Sequence, residues 1–379
     1  MRDILVIYVS NTPRRCDMET MMSLNRITVN ACNYNRQIMH GFADHDCDVL
    51  ALFDAVQESS NLEHYSIYDE DLIQYLYFHT NNLSIKYRIL SHHIQKVTYR
   101  KIIVVSDALN LRNVLFTQVY AKHHGIKNVA IVTDLYRYFH KKGSFNIKSW
   151  LFVQLGNFIM HRFDGFMLLS ESMIHEDFVI NKPYFVSEGV FEPYLTQSNS
   201  IRNVAEKVAI YAGTIVPEYG VITLMKAFNE LKPSKLKLHI YSSEQAYSEL
   251  IEQLSEYVEF KGYLPREQLT SKLVNADLLI NPRPLYHEFN QYSFPSKLIE
   301  YMASGVPTIT TRIPSIPDSI KNTLNYFEGD DLVGLIQGLQ RFISSDSETY
   351  ITKAQNAKRF VLDKYSHVSI ARQIIQLVD

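Results

Sequence analysis

Several things are scarce in this chain, and each shortage excludes a class. Only three cysteines occur among 379 residues, Cys16, Cys32 and Cys47. Odd in number and too widely spaced for a C-x-x-C pair, they exclude a disulfide framework and read as ordinary thiols of a reducing compartment. Neither charge is in excess: 38 Lys+Arg stand against 40 Asp+Glu, a net of −2, which argues against a dedicated nucleic-acid binder. No apolar run approaches the roughly 20 residues needed to span a bilayer. Met1-Arg2-Asp3 leads straight into a strand, so no signal peptide is predicted and a cytoplasmic location is expected. Short repeats and low-complexity segments are missing.

What is present is apolar and regular. Hydrophobic residues make up 46% of the chain, enough for a core in each of two ordinary domains. Buried parallel strands are predicted at Ile4 to Val9, Cys47 to Phe53, Ile102 to Val105, Val129 to Thr133 and Gly165 to Ser170. In the second half they fall at Val208 to Tyr211, Leu236 to Tyr241, Val258 to Phe260, Asp277 to Ile280 and Val306 to Thr310. Helices are expected over 17–42, 70–98, 112–124, 221–231, 266–275, 329–363 and 366–378. The fold class is therefore α/β, with two Rossmann-like domains at 1–195 and 196–363. The polar stretch Thr196 to Glu206 serves as linker.

The most informative stretch is Asn281 to Ile316. A buried strand ends, a polar loop follows, and a helix is expected from Pro295 to a stop at Gly305. Strand end and helix start lie together, which is where ligands bind in an open α/β sheet. Lys297 sits in the first helical turn, a mildly unfavourable place for a cation that a bound anion would reverse. Arg283 enters from the loop, Ser293 and Ser296 add hydroxyls, and Glu300 follows one turn later. Phosphate donors first and a hydroxyl acceptor next suit a nucleoside diphosphate. An ordinary surface helix with an exposed Lys and Glu is the plainer alternative.

The PR-P loop, YSFPSK, the E-Y-x-A-S-G helix and P-T-I-T-T resemble the nucleotide-sugar motif of glycosyltransferase family 4, and most of all its bacterial surface-polysaccharide members. The resemblance implies a GT-B fold, two domains facing a cleft, with the C-terminal helix, 364–379, returning to the first. It implies retention of anomeric configuration, ribose binding by Glu300 and diphosphate binding by Lys297. Many members carry a first glutamate where this chain has Tyr292; Glu288 is the nearest carboxylate. The loop after Tyr211 has Thr214 and Tyr219 where cations are often found, while Gly213 leaves room for a phosphate. The segment F-x-G-Y-L-P, with Gly262 and Tyr263, resembles the one whose backbone meets the nucleobase. No D-x-D pair accompanies the motif, since Asp44-His45-Asp46 and Asp46-Cys47-Asp48 lie in the other half. No metal and no cofactor are expected beyond the nucleotide-sugar co-substrate, a UDP-sugar, and the acceptor is a glycan or a lipid-linked carrier. A catalytically silent subunit supporting a partner transferase, and a UDP-sugar epimerase, are the alternatives.

The first half offers fewer candidates. Asp134 ends a strand in V-T-D-L, which resembles a motif of the same enzymes, and is either the acceptor-side catalytic base or a helix N-cap. Arg14 and Arg15 face an acceptor phosphate or simply solvent. His92-His93 and His123-His124 point to different helix faces and make poor metal sites. From Leu135 to Phe163 there is no acidic residue, while the chain's only tryptophan, Trp150, stands within. That segment is either a core helix with a basic outer face, a peripheral contact with the inner face of the plasma membrane, or a grip on a lipid-linked pyrophosphate.

Overall fold

The computed structural model describes residues 2–23, 29–55, 64–96, 98–108, 111–136, 147–191, 207–242, 254–286, 294–345 and 347–379. The chain forms two compact units, Met1–Glu192 with Tyr365–Asp379, and Pro193–Lys364. The expected linker lies outside the described residues.

In the first unit the strands are β1 (Ile4–Val9), β2 (Cys47–Asp54), β3 (Tyr65–Glu70), β4 (Ile73–Phe78), β5 (Lys101–Asp107), β6 (Lys127–Val132), β7 (Gly165–Leu168) and β8 (Tyr184–Val186). They form one sheet in the order β3-β4-β2-β1-β5-β6-β7-β8, parallel throughout except for the antiparallel β3–β4 pair. Helices α1 (Met18–Ser23), α2 (Val29–Asp44), α3 (Leu83–Ile94), α4 (Leu111–His124) and α5 (Ile147–Met160) connect them. The central strands are apolar nearly end to end because helices cover both faces of a parallel sheet.

Two expectations fail here. The single helix expected over 17–42 is a 3₁₀ turn at Arg15–Asp17 followed by α1 and α2. The helix expected over 70–98 is instead the hairpin strand β4 followed by α3. Because β4 lies between β2 and β3 with both faces covered, Ile73-Gln74-Tyr75-Leu76-Tyr77-Phe78 shows no two-residue alternation. Asp71 and Leu72 take positive φ values of 50° and 66°, the twist a two-residue hairpin turn requires. Asn82 then starts α3 by accepting from the Ser84 and Ile85 amides.

The second unit repeats the plan with β9 (Lys207–Ala212), α6 (Val221–Leu231), β10 (Leu236–Tyr241), β11 (Val258–Gly262), α7 (Arg266–Val274), β12 (Leu278–Asn281), α8 (Lys297–Ser304), β13 (Thr308–Thr310), α9 (Asp318–Lys321) and β14 (Asn325–Tyr326). Its sheet, β11-β10-β9-β12-β13-β14, is wholly parallel. The strand order reverses between β9 and β12, so the loops leaving those two strands flank a crevice. The helix expected over 329–363 divides into α10 (Leu332–Ser344) and α11 (Ser347–Tyr365), and the Asp331 carboxylate caps α10.

The last helix, α12 (His367–Gln376), packs on α2 of the first unit. Ile370, Ala371, Ile374 and Ile375 join Ile38, Met39 and Phe42 in that unit's core. A β-carbon at Gly41 would come within 2.1 Å of the His367 carbonyl oxygen, so only glycine permits this approach. The Tyr365 hydroxyl donates to the buried Glu188 carboxylate at 2.6 Å, and His367 Nε2 pairs with Asp44 at 2.8 Å. Among the described residues no helix is long and apolar enough to cross a membrane.

Candidate active site

The second unit's crevice is built from the turn after β9. Gly213 has φ of +146°, a conformation L side chains rarely adopt, and donates its amide to the Tyr241 carbonyl at 2.9 Å. The buried Tyr211 hydroxyl donates to the Thr214 carbonyl at 2.7 Å, holding the turn's shape. From α8 the Tyr301 hydroxyl accepts the Ala212 amide at 2.9 Å and ties that helix to the strand end. Gly220 closes the loop: a β-carbon there would lie 2.1 Å from the Pro282 carbonyl oxygen. The loops after β9 and β12 are thereby pressed together.

Lys297 is the first residue of α8, two positions later than expected. Leu298 and Ile299 donate to the Pro295 and Ser296 carbonyls at 2.8 and 3.1 Å, so the helix begins with a 3₁₀ turn. Ser296 precedes it, exposed, and its hydroxyl makes no capping bond. Lys297 Nζ points back under Gly213, 2.5 Å from where a β-carbon would stand. It lies 4.3 Å from the Tyr211 ring centre and 5.5 Å from that of Tyr219. The amine is buried and has no hydrogen-bond partner among the described residues. Burial, then repulsion from Arg283, bring its pKa down to about 7, against a smaller upward pull from Glu300.

Arg283 is buried beside it, with Cζ 4.6 Å from the Tyr219 ring centre. Burial lowers its pKa too. The loop that carries it is fixed from behind. Thr311 Oγ1 donates to the Arg283 carbonyl, Thr311 N to Asn281 O at 3.3 Å, and Asn281 Nδ2 to Thr310 Oγ1 at 2.9 Å. Two cations and two phenol rings thus converge at one strand-end turn. A buried amine without a hydrogen-bond partner is costly, and an anion placed here would offset that cost.

Glu300 faces Arg266, the first residue of α7, with Nη2 to carboxylate oxygen at 3.4 Å. Gly262, φ +74°, accepts the Ser242 amide at 3.1 Å, and nothing lies within 4 Å of its missing side chain. Tyr263 beyond it is 70% exposed. Thr214 is exposed at the rim. Glu288, Tyr292 and Ser293 lie outside the described residues. The structure therefore brings Gly213, Thr214, Arg283 and Lys297 together at one turn, with Ser296 immediately before Lys297 and Glu300 one helical turn further on.

Asp134 belongs to the first unit, two residues beyond β6. It is exposed, and partial enclosure of its carboxyl raises the pKa. With Leu135, Tyr136, Asn157, Met160, Glu176 and Phe178 it lines a small cavity of about 50 Å³. Arg14 is held by Asp17 at 2.9 Å and stacked 3.5 Å from the centre of the Tyr68 ring. His123 and His124 bond the Tyr87 hydroxyl. Sequence reasoning missed Tyr211, Arg266 and the role of Tyr219. A ring that supports two cations, or an arginine 34 residues from its carboxylate, leaves no spacing signal.

Residues 206–345 match the family described as glycosyl transferases group 1. Relatives include the WcaL proteins of Salmonella typhimurium and Escherichia coli K12, assigned by name to colanic acid biosynthesis as glycosyltransferases. Each is 25% identical over 139 residues, 36% of this chain and 34% of the relative. The match thus spans about a third of the length of these curated relatives. Among solved structures, Anabaena HepE in complex with UDP is 15% identical, covering 99% of this chain and 98% of its own, with a TM-score of 0.64. Sucrose-phosphate synthase from Thermosynechococcus elongatus is 15% identical, covering 98% of each chain, with a TM-score of 0.61. Across its length this chain has the GT-B fold, and through residues 206–345 it resembles the group 1 glycosyltransferases of bacterial polysaccharide synthesis.

Proposed function

We propose that the chain is a retaining glycosyltransferase that moves a sugar from a UDP-sugar to a hydroxyl of a glycan or lipid-linked acceptor in bacterial surface polysaccharide synthesis. The observation that carries this reading is the buried Lys297 amine, without a hydrogen-bond partner and beside Arg283, at the strand-order reversal of the second unit. A diphosphate supplies the missing negative charge, and the start of α8 adds favourable dipole. The HepE structures in complex with UDP and with UDP-glucose support the choice of donor, as the naming of WcaL supports the choice of pathway class.

In the proposed reaction the bond from the sugar's anomeric carbon to the β-phosphate oxygen breaks, and both electrons leave with UDP. The acceptor oxygen bonds to the same carbon on the same face. Lys297 and Arg283 neutralise the charge gathering on the leaving diphosphate, a role that requires no metal. Glu300 accepts from the ribose hydroxyls, Gly262 and Tyr263 border the base, and Thr214 and Ser296 donate at the phosphate rim. Glu288, Tyr292 and Ser293 complete the donor side in this reading. Asp134 takes the acceptor proton.

The test is a thermal-shift panel of UDP, GDP and common sugar nucleotides, followed by donor hydrolysis with and without EDTA. UDP and one UDP-sugar should raise Tm, and slow hydrolysis should survive chelation. A panel with no response overturns the donor site. Hydrolysis lost on chelation and restored by Mg²⁺ overturns the metal-free route. UDP binding without any hydrolysis or transfer favours the silent-subunit alternative.

A further inference from the structure

We infer that the outer face of α5 is a docking surface for an anionic lipid bilayer, independently of the donor-site reading. The inner face of this helix belongs to the core of the first unit: Val153, Ile159 and Met160 are buried there, and Gly156 lies against the Tyr136 ring. The opposite face is also apolar. Trp150 is 44% exposed, Leu151 54%, Leu155 42% and Phe158 57%. At about 100° per residue these four share an arc of roughly 140°. Gln154 and Asn157 between them are uncharged. A surface helix in water ordinarily carries charge on that side, and a helix apolar all round is normally covered.

The surrounding charge selects the occupant. From Leu111 to Phe163 the sequence holds eight Lys and Arg and one acid, Asp134, in a chain whose net charge is −2. Exposed Arg162 sits over the Phe158 ring at 4.9 Å, the placement of a cation that reaches for headgroups while its stem follows apolar surface. Gln118 of α4 donates to the Ile159 carbonyl at 3.1 Å, so exposed Lys122, one turn further on the same helix, stands towards the same end as Arg162. Two copies meeting through this face would bring their Lys122 and Arg162 side chains together, whereas an anionic membrane would attract these described cations. With 14 residues α5 is about 21 Å long, suited to lying in the interface and too short to cross it.

Trp150 is the only tryptophan, so its emission reports this face directly. Vesicles of phosphatidylcholine with about a third phosphatidylglycerol should shift its emission to the blue and carry the full chain up a density gradient at low salt. Phosphatidylcholine vesicles should bind at least tenfold more weakly. Leu151→Glu with Phe158→Glu should abolish flotation while the circular dichroism and melting temperature stay unchanged. Lys122→Glu with Arg162→Glu should remove the preference for anionic lipid. Unchanged wild-type emission with anionic vesicles overturns the inference, as does equal binding to neutral ones. A lipid-free blue shift that grows with protein concentration, alongside a dimer in sedimentation, also overturns it by assigning the face to a second copy.

Discussion

Binding of UDP should draw a proton from solution, and Lys297 is the group that receives it. With a pKa of about 7 in the unliganded protein, only about a tenth of these amines are charged at pH 8. A diphosphate beside the amine favours the charged form, and a return towards the ordinary lysine value near 10.4 makes the uptake about 0.9 proton per UDP at that pH. At pH 7 the uptake should be about half a proton, and affinity should fall up to tenfold per pH unit above it. The second ionisation of a phosphate lies near 6, so the ligand contributes little at pH 8. Calorimetry in HEPES and in Tris separates the two buffer ionisation heats and counts the protons. The same residue makes a second signal. Its folded pKa is depressed, so between about 7 and 10 the unfolded chain binds more protons than the folded one. Stability of the empty protein should therefore rise with pH across that window, the cost being complete below pH 7. The full shift corresponds to at most about 5 kcal/mol. Lys297→Met should raise Tm by several degrees near pH 6, change it little near pH 10, and abolish the proton uptake. Saturable UDP binding with no uptake at pH 8, or with the same uptake in Lys297→Met, refutes the reasoning.

Other expectations follow from the same geometry. Gly213→Ala puts a β-carbon against the lysine amine at a strained φ, costing about 1–3 kcal/mol; UDP affinity should drop tenfold or more while the far-ultraviolet dichroism is kept. Glu300→Gln and Arg266→Ala should each weaken UDP about tenfold yet leave inorganic pyrophosphate binding intact, as measured by competition. Asp134→Asn should lower kcat by about 10²-fold or more with donor KM nearly unchanged; wild-type turnover would leave it only a structural role.

The strands were the most readable part of the chain. Ile4–Val9 and Leu236–Tyr241 are apolar runs of strand length, because a parallel sheet covered on both sides needs nothing else. The same covering hid β4, whose tyrosines look helical once alternation is lost. The split between α10 and α11 passed unseen because both sides of Ser345 keep apolar residues at helical spacing. At the crevice, the rule that ligands gather at strand ends and helix starts singled out Arg283 and Lys297, and glycine's freedom singled out Gly213. Their burial on Tyr211 and Tyr219 was not readable, since it depends on how two loops pack. Arg266 was missed for the same reason: its place beside Glu300 is set by α7 lying on α8.

The contribution of α12 to the first core has a consequence for biosynthesis. Residues 370–375 fill space beside α2, yet the ribosome makes them only after the whole second unit. The N-terminal half thus emerges with an apolar groove along α2 uncovered, and it waits through some 170 further residues before closing. The domain begun first is the one finished last, and a nascent chain stalled anywhere in the second unit is a natural client for a chaperone.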